Sequence, residues 1–446
     1  MSWSVPVLSA LFPALLLACQ PRVEPAPQTE PDTPARPNFV IVDIDSMRAD
    51  LLDATHQGEP LAPAIHSLAQ RGVRFDNAFA QSSWTFPALA SVLTGRYPPS
   101  FATLNPRRQQ LAELGNTLPA ILNLYGYHSA AAWGDTAPTA YPAFGQGFDD
   151  APLDQLERLP EPFLLMVHDM DLHRPLPQPS QATIERHSDQ RPVPRCESLN
   201  ETWKRGREQV GELAAQQQVR ACYRAALEAY DPQVAQIMAQ LEATGLDDRT
   251  VVILLSNHGE ELFEHGEMGH AELQYDTVLR VPLVILDPAV AAPARRDERV
   301  QHVDLVPTIL ARANIPPPHD LDGASLLPLL GLSEGTYPER DIFGFANPSY
   351  ATLRTASHKL HHSMERGATV RQLYDIRSDP GETTDILADL PELATELNAR
   401  LDTFIAQRMA HGQDLPKTPG SEALKSELEE RGYWEMVREP VAPRRR

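Results

Sequence analysis

Cysteine is scarce, basic charge is outnumbered, and long apolar runs are almost absent. Only three cysteines occur in 446 residues, at positions 19, 196 and 222. Lysine and arginine total 39 against 60 aspartates and glutamates, for a net charge of −21. A surface that acidic repels polyanions, so nucleic acid is not an expected partner. The apolar run Val5–Ala18 is shorter than the ~20 residues that a membrane span needs. No internal repeat is visible.

What is present suits a large folded protein. Hydrophobic residues make up 42% and charged residues 22%, proportions of a globular chain and not of a disordered one. The length is too great for one small core and fits a large α/β domain with a smaller partner. Prolines are abundant, 42 in all, and many fall in the first forty residues.

Continuous apolar runs mark strands buried on both faces of a parallel sheet. They occur at Asn38–Ile44, Phe163–Val167, Thr250–Leu255 and Val281–Leu286. Helical spacing lies between them, at Ala64–Arg71, Pro87–Leu93, Leu118–Leu124, Tyr223–Thr244 and Val303–Ala313. This alternation predicts a doubly wound, mostly parallel α/β sheet flanked by helices. After about residue 335 the pattern changes to short strands, Ala351–Leu360 and Gln372–Ile376, and a closing helix, Pro391–Gln407. A small C-terminal antiparallel sheet plus helix is expected there. The expected organisation is a signal segment (1–18), a Pro-rich tether (19–37), a main domain (38–334), a small α+β subdomain (335–410) and a charged tail (411–446).

Ligands of open α/β sheets bind beyond the carboxyl ends of the strands. Those ends carry Asp43-Ile44-Asp45-Ser46, His168-Asp169-Met170-Asp171-Leu172-His173 and Ser256-Asn257-His258-Gly259-Glu260. Oxygen and imidazole donors of this kind suit a divalent metal: Mg, Ca, Mn or Zn. Thr85 is expected at the N-cap of the helix that begins near Pro87 and stops at Gly95. A helix N-terminus is a ready site for sulfate or phosphate.

These segments resemble the sulfatase family of the alkaline phosphatase superfamily. Asp45-Ser46-Met47-Arg48-Ala49-Asp50 is similar to its first metal motif, and 82–98, ending Leu-Thr-Gly-Arg-Tyr-Pro, to its nucleophile motif. Met170–His173 resembles the strand end that carries an active-site His. Ser256–Glu260 with Gly269-His270 resembles the second metal motif and its trailing His. Leu373-Tyr374-Asp375 and Asp379–Glu382 resemble the small C-terminal domain. The resemblance spans roughly 37–405 and implies a metal-dependent hydrolase, or transferase, of sulfate or phosphate esters. It implies one divalent ion held by Asp45, Thr85, Asn257 and His258, with His173 and His270 as catalytic residues.

The chain departs from the family's pattern at telling positions. Thr85 stands where a Cys or Ser is converted to formylglycine, and Leu89 replaces the Arg four residues on, so formylglycine is not expected. The Lys and His of a Gly-Lys-Trp-His segment are missing near Trp133-Gly134-Asp135-Thr136. Asn257 replaces an Asp. Thr85 is then expected to act as a metal-activated nucleophile. Asp43, on the same strand face as Asp45 and about 6.6 Å from it, is expected to restore the missing negative charge near the metal. His168 and Asp169 read as loop-stabilising, with a second metal at the Asp169-to-His173 spacing as the alternative, His265 as a solvated loop residue, and His358, His361 and His362 as surface residues. Arg96 and Asp304 read as structural. Two other readings stay open: a non-catalytic relative that binds an anionic ligand, and a structural envelope lipoprotein.

Leu16-Leu17-Ala18-Cys19 resembles a bacterial lipobox. It implies membrane attachment through lipidated Cys19, with the domain in the cell envelope facing the periplasm or exterior. The expected substrate is a small-molecule, glycan or lipid ester. An oxidising compartment permits Cys196 and Cys222 to pair; two free buried thiols are the alternative.

Overall fold

The structure is a computed structural model, and it describes residues 1, 36–101, 117–133, 147–151, 153–170, 172, 179–188, 195–196, 198–347, 349–365 and 368–414. Residues 2–35, with Cys19 and most of the signal segment and tether, lie outside the described residues, as do Gly134-Asp135-Thr136, Asp171, His173 and the tail beyond 414. Among the described residues no helix is long and apolar enough to cross a membrane.

The strands relevant to the site are β1 (Asn38–Ile44), β2 (Val73–Phe79), β3 (His128–Trp133), β4 (Asp149–Asp150), β5 (Phe163–Asp169) and β6 (Thr250–Leu255). They continue with β7 (Arg280–Val281), β8 (Leu283–Leu286) and β9 (Ala294–Gln301). Their order is β7-β2-β8-β6-β1-β5-β3-β4, with β9 beside β2. Strands β6, β1, β5, β3 and β4 run parallel. The expected parallel run at Val281–Leu286 is instead β7 and β8, which pair antiparallel with their neighbours. The expectation of a mostly parallel sheet therefore holds, with one antiparallel side.

Period-two alternation divides each central strand between two cores. On β1, Phe39 and Ile41 face one cluster with Leu164, Met166, Ile253 and Leu255. Val40, Val42 and Ile44 face the other with Leu165, Val167, Val252 and Leu254. Helices α1 (Pro63–Arg71) and α2 (Thr85–Thr94) lie on opposite faces, for Ile65 and Leu68 join the second cluster and Leu89 and Val92 the first. A third helix, Leu118–Leu124, packs Ile121 and Leu122 beside α2's cluster. The long helix Glu212–Thr244 covers the other face with Val219, Tyr223, Tyr230 and Ile237. It starts earlier than the periodicity suggests and carries Pro232 inside.

The C-terminal part forms a four-stranded antiparallel sheet of consecutive strands, Ile342–Asn347, Tyr350–Arg354, His358–Glu365 and Ala368–Asp375. The helix Pro391–Asp414 closes it with Leu397 and Leu401 on Leu353, Leu360 and Leu373. One surface assignment fails here. His361 is buried and bonds Glu382 at 3.0 Å. Its neighbour Lys359, fully buried, pairs with both Asp276 and Glu382 at 2.7 Å. The strand alternation that hides Lys359 and His361 leaves His358 and His362 only half-buried. Cys196 and Cys222 form a disulfide, with Cα atoms 5.4 Å apart.

Candidate active site

Asp45 is the first residue beyond β1, and its backbone N–H donates to Asp169 O at 2.9 Å. The chain then turns sharply, with Ser46 at φ 62°. A non-glycine residue in that region costs energy and persists only when its surroundings hold it. Here the Tyr223 hydroxyl donates to Ser46 O at 2.6 Å, and Met47 N–H donates to Ser256 Oγ at 2.9 Å. Ser256 Oγ in turn donates to His258 O at 2.6 Å. The ends of β1 and β6 are thus pinned together. Gly259 belongs to this arrangement, because a Cβ there would lie 2.3 Å from Thr277 O.

Four polar side chains converge on the Asp45 carboxylate, which is itself fully buried. Ser46 Oγ donates to Oδ1 at 2.8 Å. Thr85 Oγ1 donates to Oδ2 at 3.1 Å, and Asn257 Nδ2 donates to the same oxygen at 3.0 Å. His258 Nε2 lies 3.6 Å from Oδ1 and 3.3 Å from Thr85 Oγ1. Asp45, Thr85, Asn257 and His258 therefore meet, as the sequence suggests. Thr85 is not the N-cap. That position falls to Trp84, and no side chain caps the helix. The Thr85 hydroxyl faces Asp45 instead of its own helix.

His270 joins from the loop after β6. Its ring lies 4.3 Å from that of His258, and its Nδ1 faces Glu260 at 3.2 Å. Ala271 N–H donates to Ser83 O at 2.7 Å, which ties this loop to the start of α2. Burial opposes protonation of His270, but the Glu260 carboxylate, with Asp45 behind it, outweighs burial and raises its pKa. The His270 side chain is 18% exposed and Thr85 is 6% exposed, whereas Asp45, Asn257 and His258 are wholly buried. A ligand would meet the first two.

Asp43 and His168 form a second buried pair. They are register partners on the adjacent parallel strands β1 and β5, and their side chains share one face. Asp43 Oδ2 lies 2.6 Å from His168 Nδ1, and His168 Nε2 lies 4.0 Å from Asp45 Oδ2. Burial works against a charged His168, yet Asp43, Asp45 and Asp169 together raise its pKa. Burial also raises the pKa of Asp43, against the pull of His168. The His168 ring thus stands between Asp43 and Asp45, hydrogen-bonded to Asp43. His168 lies within β5, one residue before its end, on the face that carries Leu164 and Met166. A cavity of about 400 Å³ adjoins this pair, lined by Trp133, Asp150, His168, Asp169 and Gln233.

The remaining assigned residues lie outside this centre. His265 is not a solvated loop residue. It bonds Glu261 at 3.0 Å and stacks on Tyr275 at 3.5 Å. Arg96 pairs with Asp320, and Asp304 with Arg340 and Tyr337.

Members of the sulfatase family generally depend on a divalent metal ion. The residues here do not fit one. Asn257 Oδ1 accepts the His258 N–H at 2.7 Å while Nδ2 faces Asp45, so the amide presents a donor and not an oxygen to the centre. Ser46 and Thr85 also direct their hydroxyl hydrogens at Asp45. Asp43 Oδ2 is engaged by His168. Among the described residues, no group of three or more His, Cys, Asp or Glu side chains has the geometry to hold a metal ion.

Comparison with known proteins agrees with the fold. The Sulfatase family model matches residues 37–315, and that of the N-sulphoglucosamine sulphohydrolase C-terminal region matches 264–408. Arylsulfatase K of Bos taurus is 32% identical over 198 residues, covering 42% of this chain and 36% of the relative. The Homo sapiens protein is 31% identical over 198 residues, covering 42% and 37%. The chain thus spans little more than a third of the length of these curated relatives. Among solved structures, a 2-O glycosaminoglycan sulfatase superposes with a TM-score of 0.68 at 18% identity, covering 86% of this chain and 97% of that one. The phosphonate monoester hydrolase of Agrobacterium radiobacter superposes with a TM-score of 0.61 at 20% identity, covering 84% and 96%. At such identities these likenesses concern the fold. The family match covers more than half of the sequence, and the chain belongs to the sulfatase family of the alkaline phosphatase superfamily.

Proposed function

We propose that this chain hydrolyses sulfate esters, with Thr85 as the nucleophile and His270 as the proton donor. The observation that carries the reading is the Thr85 hydroxyl. It sits at the N-terminus of α2, bonded to Asp45 and within 3.3 Å of His258 Nε2. The helix end favours an anion. In the proposed step the Thr85 Oγ–S bond forms while the bond from sulfur to the ester oxygen breaks. The Thr85 proton passes to Asp45 Oδ2, and the leaving oxygen takes a proton from His270. Water then attacks the sulfur. Thr85 Oγ leaves with the proton from Asp45, and a proton from the water returns to His270.

The cell envelope is the proposed location, with attachment through Cys19. The Cys196–Cys222 disulfide supports an oxidising compartment. Sulfated saccharides are the proposed substrates, in keeping with the glycosaminoglycan sulfatase among its structural neighbours.

A second reading, anion binding without turnover, has one observation in its favour. A carboxylate that accepts three hydrogen bonds is a weak base. The test is turnover of 4-nitrophenyl sulfate, sulfated saccharides and an aryl phosphodiester, with mass analysis of the Thr85 peptide for a trapped sulfate ester. Turnover that survives Thr85→Val ends the nucleophile assignment. Sulfate binding without turnover selects the second reading.

A further inference from the structure

We infer that the Asp45 centre binds no divalent cation and is closed by its own hydrogen-bond donors. This rests on the assignment of Asp45, Thr85, Asn257 and His258 as the site of the proposed hydrolase, but not on turnover.

A hard divalent ion is held by several anionic or carbonyl oxygens. Among the described residues Asp45 is the one carboxylate that Thr85 and Asn257 bond, and both of its oxygens accept hydrogen bonds. Ser46 occupies Oδ1; Thr85 and Asn257 occupy Oδ2. Turning the Asn257 amide to present its oxygen would break two bonds at once, one to Asp45 and one from the His258 backbone. Both groups are fully buried, so neither could turn to water instead. Asn257 is therefore fixed as a donor, and the amide dipole points its positive end at Asp45 Oδ2.

A softer ion fares no better. Tetrahedral zinc, with donors about 2.0–2.1 Å away, needs them about 3.4 Å from one another. His258 Nε2 is 3.6 Å from Asp45 Oδ1, and His168 Nε2 is 4.0 Å from Oδ2. The His168 gap is too long for donors of one tetrahedral ion, and the two gaps lead to different oxygens. His258 Nδ1 lies 2.9 Å from Gly259 O, which orients the ring. The positive charge that an ion would bring to Asp45 is supplied in part by donor hydrogens from Ser46, Thr85 and Asn257.

The experiment uses the purified full chain equilibrated separately with Ca, Mg, Mn or Zn. Bound metal is measured by mass spectrometry and binding heat by calorimetry, for wild type and Asp45→Asn. Wild type without a stoichiometric ion supports the inference, as does an ion that persists in Asp45→Asn, because it then sits elsewhere. A stoichiometric ion lost in Asp45→Asn overturns it. The double variant Ser46→Asp/Asn257→Asp surrounds Asp45 with carboxylates and is expected to gain an ion. If it folds and still binds none, the missing carboxylates are not the cause and the argument fails. If it does not fold, the wild-type measurement decides alone. Turnover in EDTA separates this inference from the hydrolase reading. Activity that EDTA removes and an ion restores overturns the inference only. No activity, together with no ion, leaves the inference standing and removes the hydrolase reading.

Discussion

Asn257→Asp puts a second carboxylate 3.0 Å from Asp45 Oδ2, where an amide hydrogen now lies. At an effective dielectric of ~20, two unit charges at that separation repel by about 5.5 kcal/mol. The protein can avoid that cost by keeping one proton on the pair. The proton would sit between the carboxyls and replace the lost donor. Holding it at pH 7 on a group whose ordinary pKa is ~3.9 costs about 4 kcal/mol. The smaller figure wins, so the variant is expected to lose about 4 kcal/mol at pH 7 in EDTA. The pair's folded pKa is raised above its unfolded value. Its penalty therefore grows as pH rises, and shrinks by about 1.4 kcal/mol for each unit of pH lowered toward 4. Asn257→Ala adds no charge and is expected to lose about 1–3 kcal/mol without that slope. The assay is urea unfolding followed by tryptophan fluorescence from pH 5 to 8. An Asn257→Asp variant as stable as wild type at pH 7, or with a pH dependence parallel to Asn257→Ala, refutes the geometry argued for the centre.

Thr85→Val keeps the shape of the side chain and removes its hydroxyl. It is expected to lower turnover of a sulfate ester at least ~1,000-fold, while Thr85→Ser retains activity, as measured by steady-state kinetics. His270→Gln is expected to lower kcat by ~100- to 10,000-fold, more for poor leaving groups than for nitrophenol. Burial pushes the pKa of His302 down to about 3, although the Ser256 backbone favours its proton. Below pH ~6.5 the unfolded chain takes a proton that the folded chain refuses, so stability falls by about 1.4 kcal/mol per unit as pH drops from there. His302→Leu should flatten this slope in acid unfolding, and an unchanged slope would show that other groups govern it. Reduction of Cys196–Cys222, 26 residues apart, should cost about 3.5 kcal/mol by loop entropy. The measurement is the denaturant midpoint with and without dithiothreitol.

The strands that the sequence makes legible are the ones buried on both faces. Asn38–Ile44 and Thr250–Leu255 have the bounds that their apolar runs suggest. Strand β3 has small alanines at its centre, and β2 is interrupted by Arg74, Asp76 and Asn77, so neither stands out as a run. Strand β9, Ala294–Gln301, is mostly charged; it lies beside β2 with much of its length exposed. The site residues that strand ends bring together were legible for a related reason. A polar residue that ends an apolar run lies at the carboxyl edge of the sheet wherever the strand sits. Contacts that depend on register were not legible. His168 meets Asp43 only because Phe39 pairs with Leu164, which sets every later partner on the two strands. Nothing local to either segment specifies that pairing.

That register also bears on the charge of the site. Asp43 and Asp45 are both fully buried, and two unneutralised carboxylates so placed would be costly. His168 lies between them, 2.6 Å from one and 4.0 Å from the other. The neighbouring strand thus supplies an imidazole that can carry a compensating proton, and Ser46, Thr85 and Asn257 supply the rest as hydrogen-bond donors. A metal centre has the opposite need: its ligands hold excess negative charge until the ion arrives. Asp43 was expected to provide that excess. One oxygen of its carboxylate is instead bonded to His168, so the residue that would have made up for Asn257 shares its charge with an imidazole and not with Asn257's neighbours.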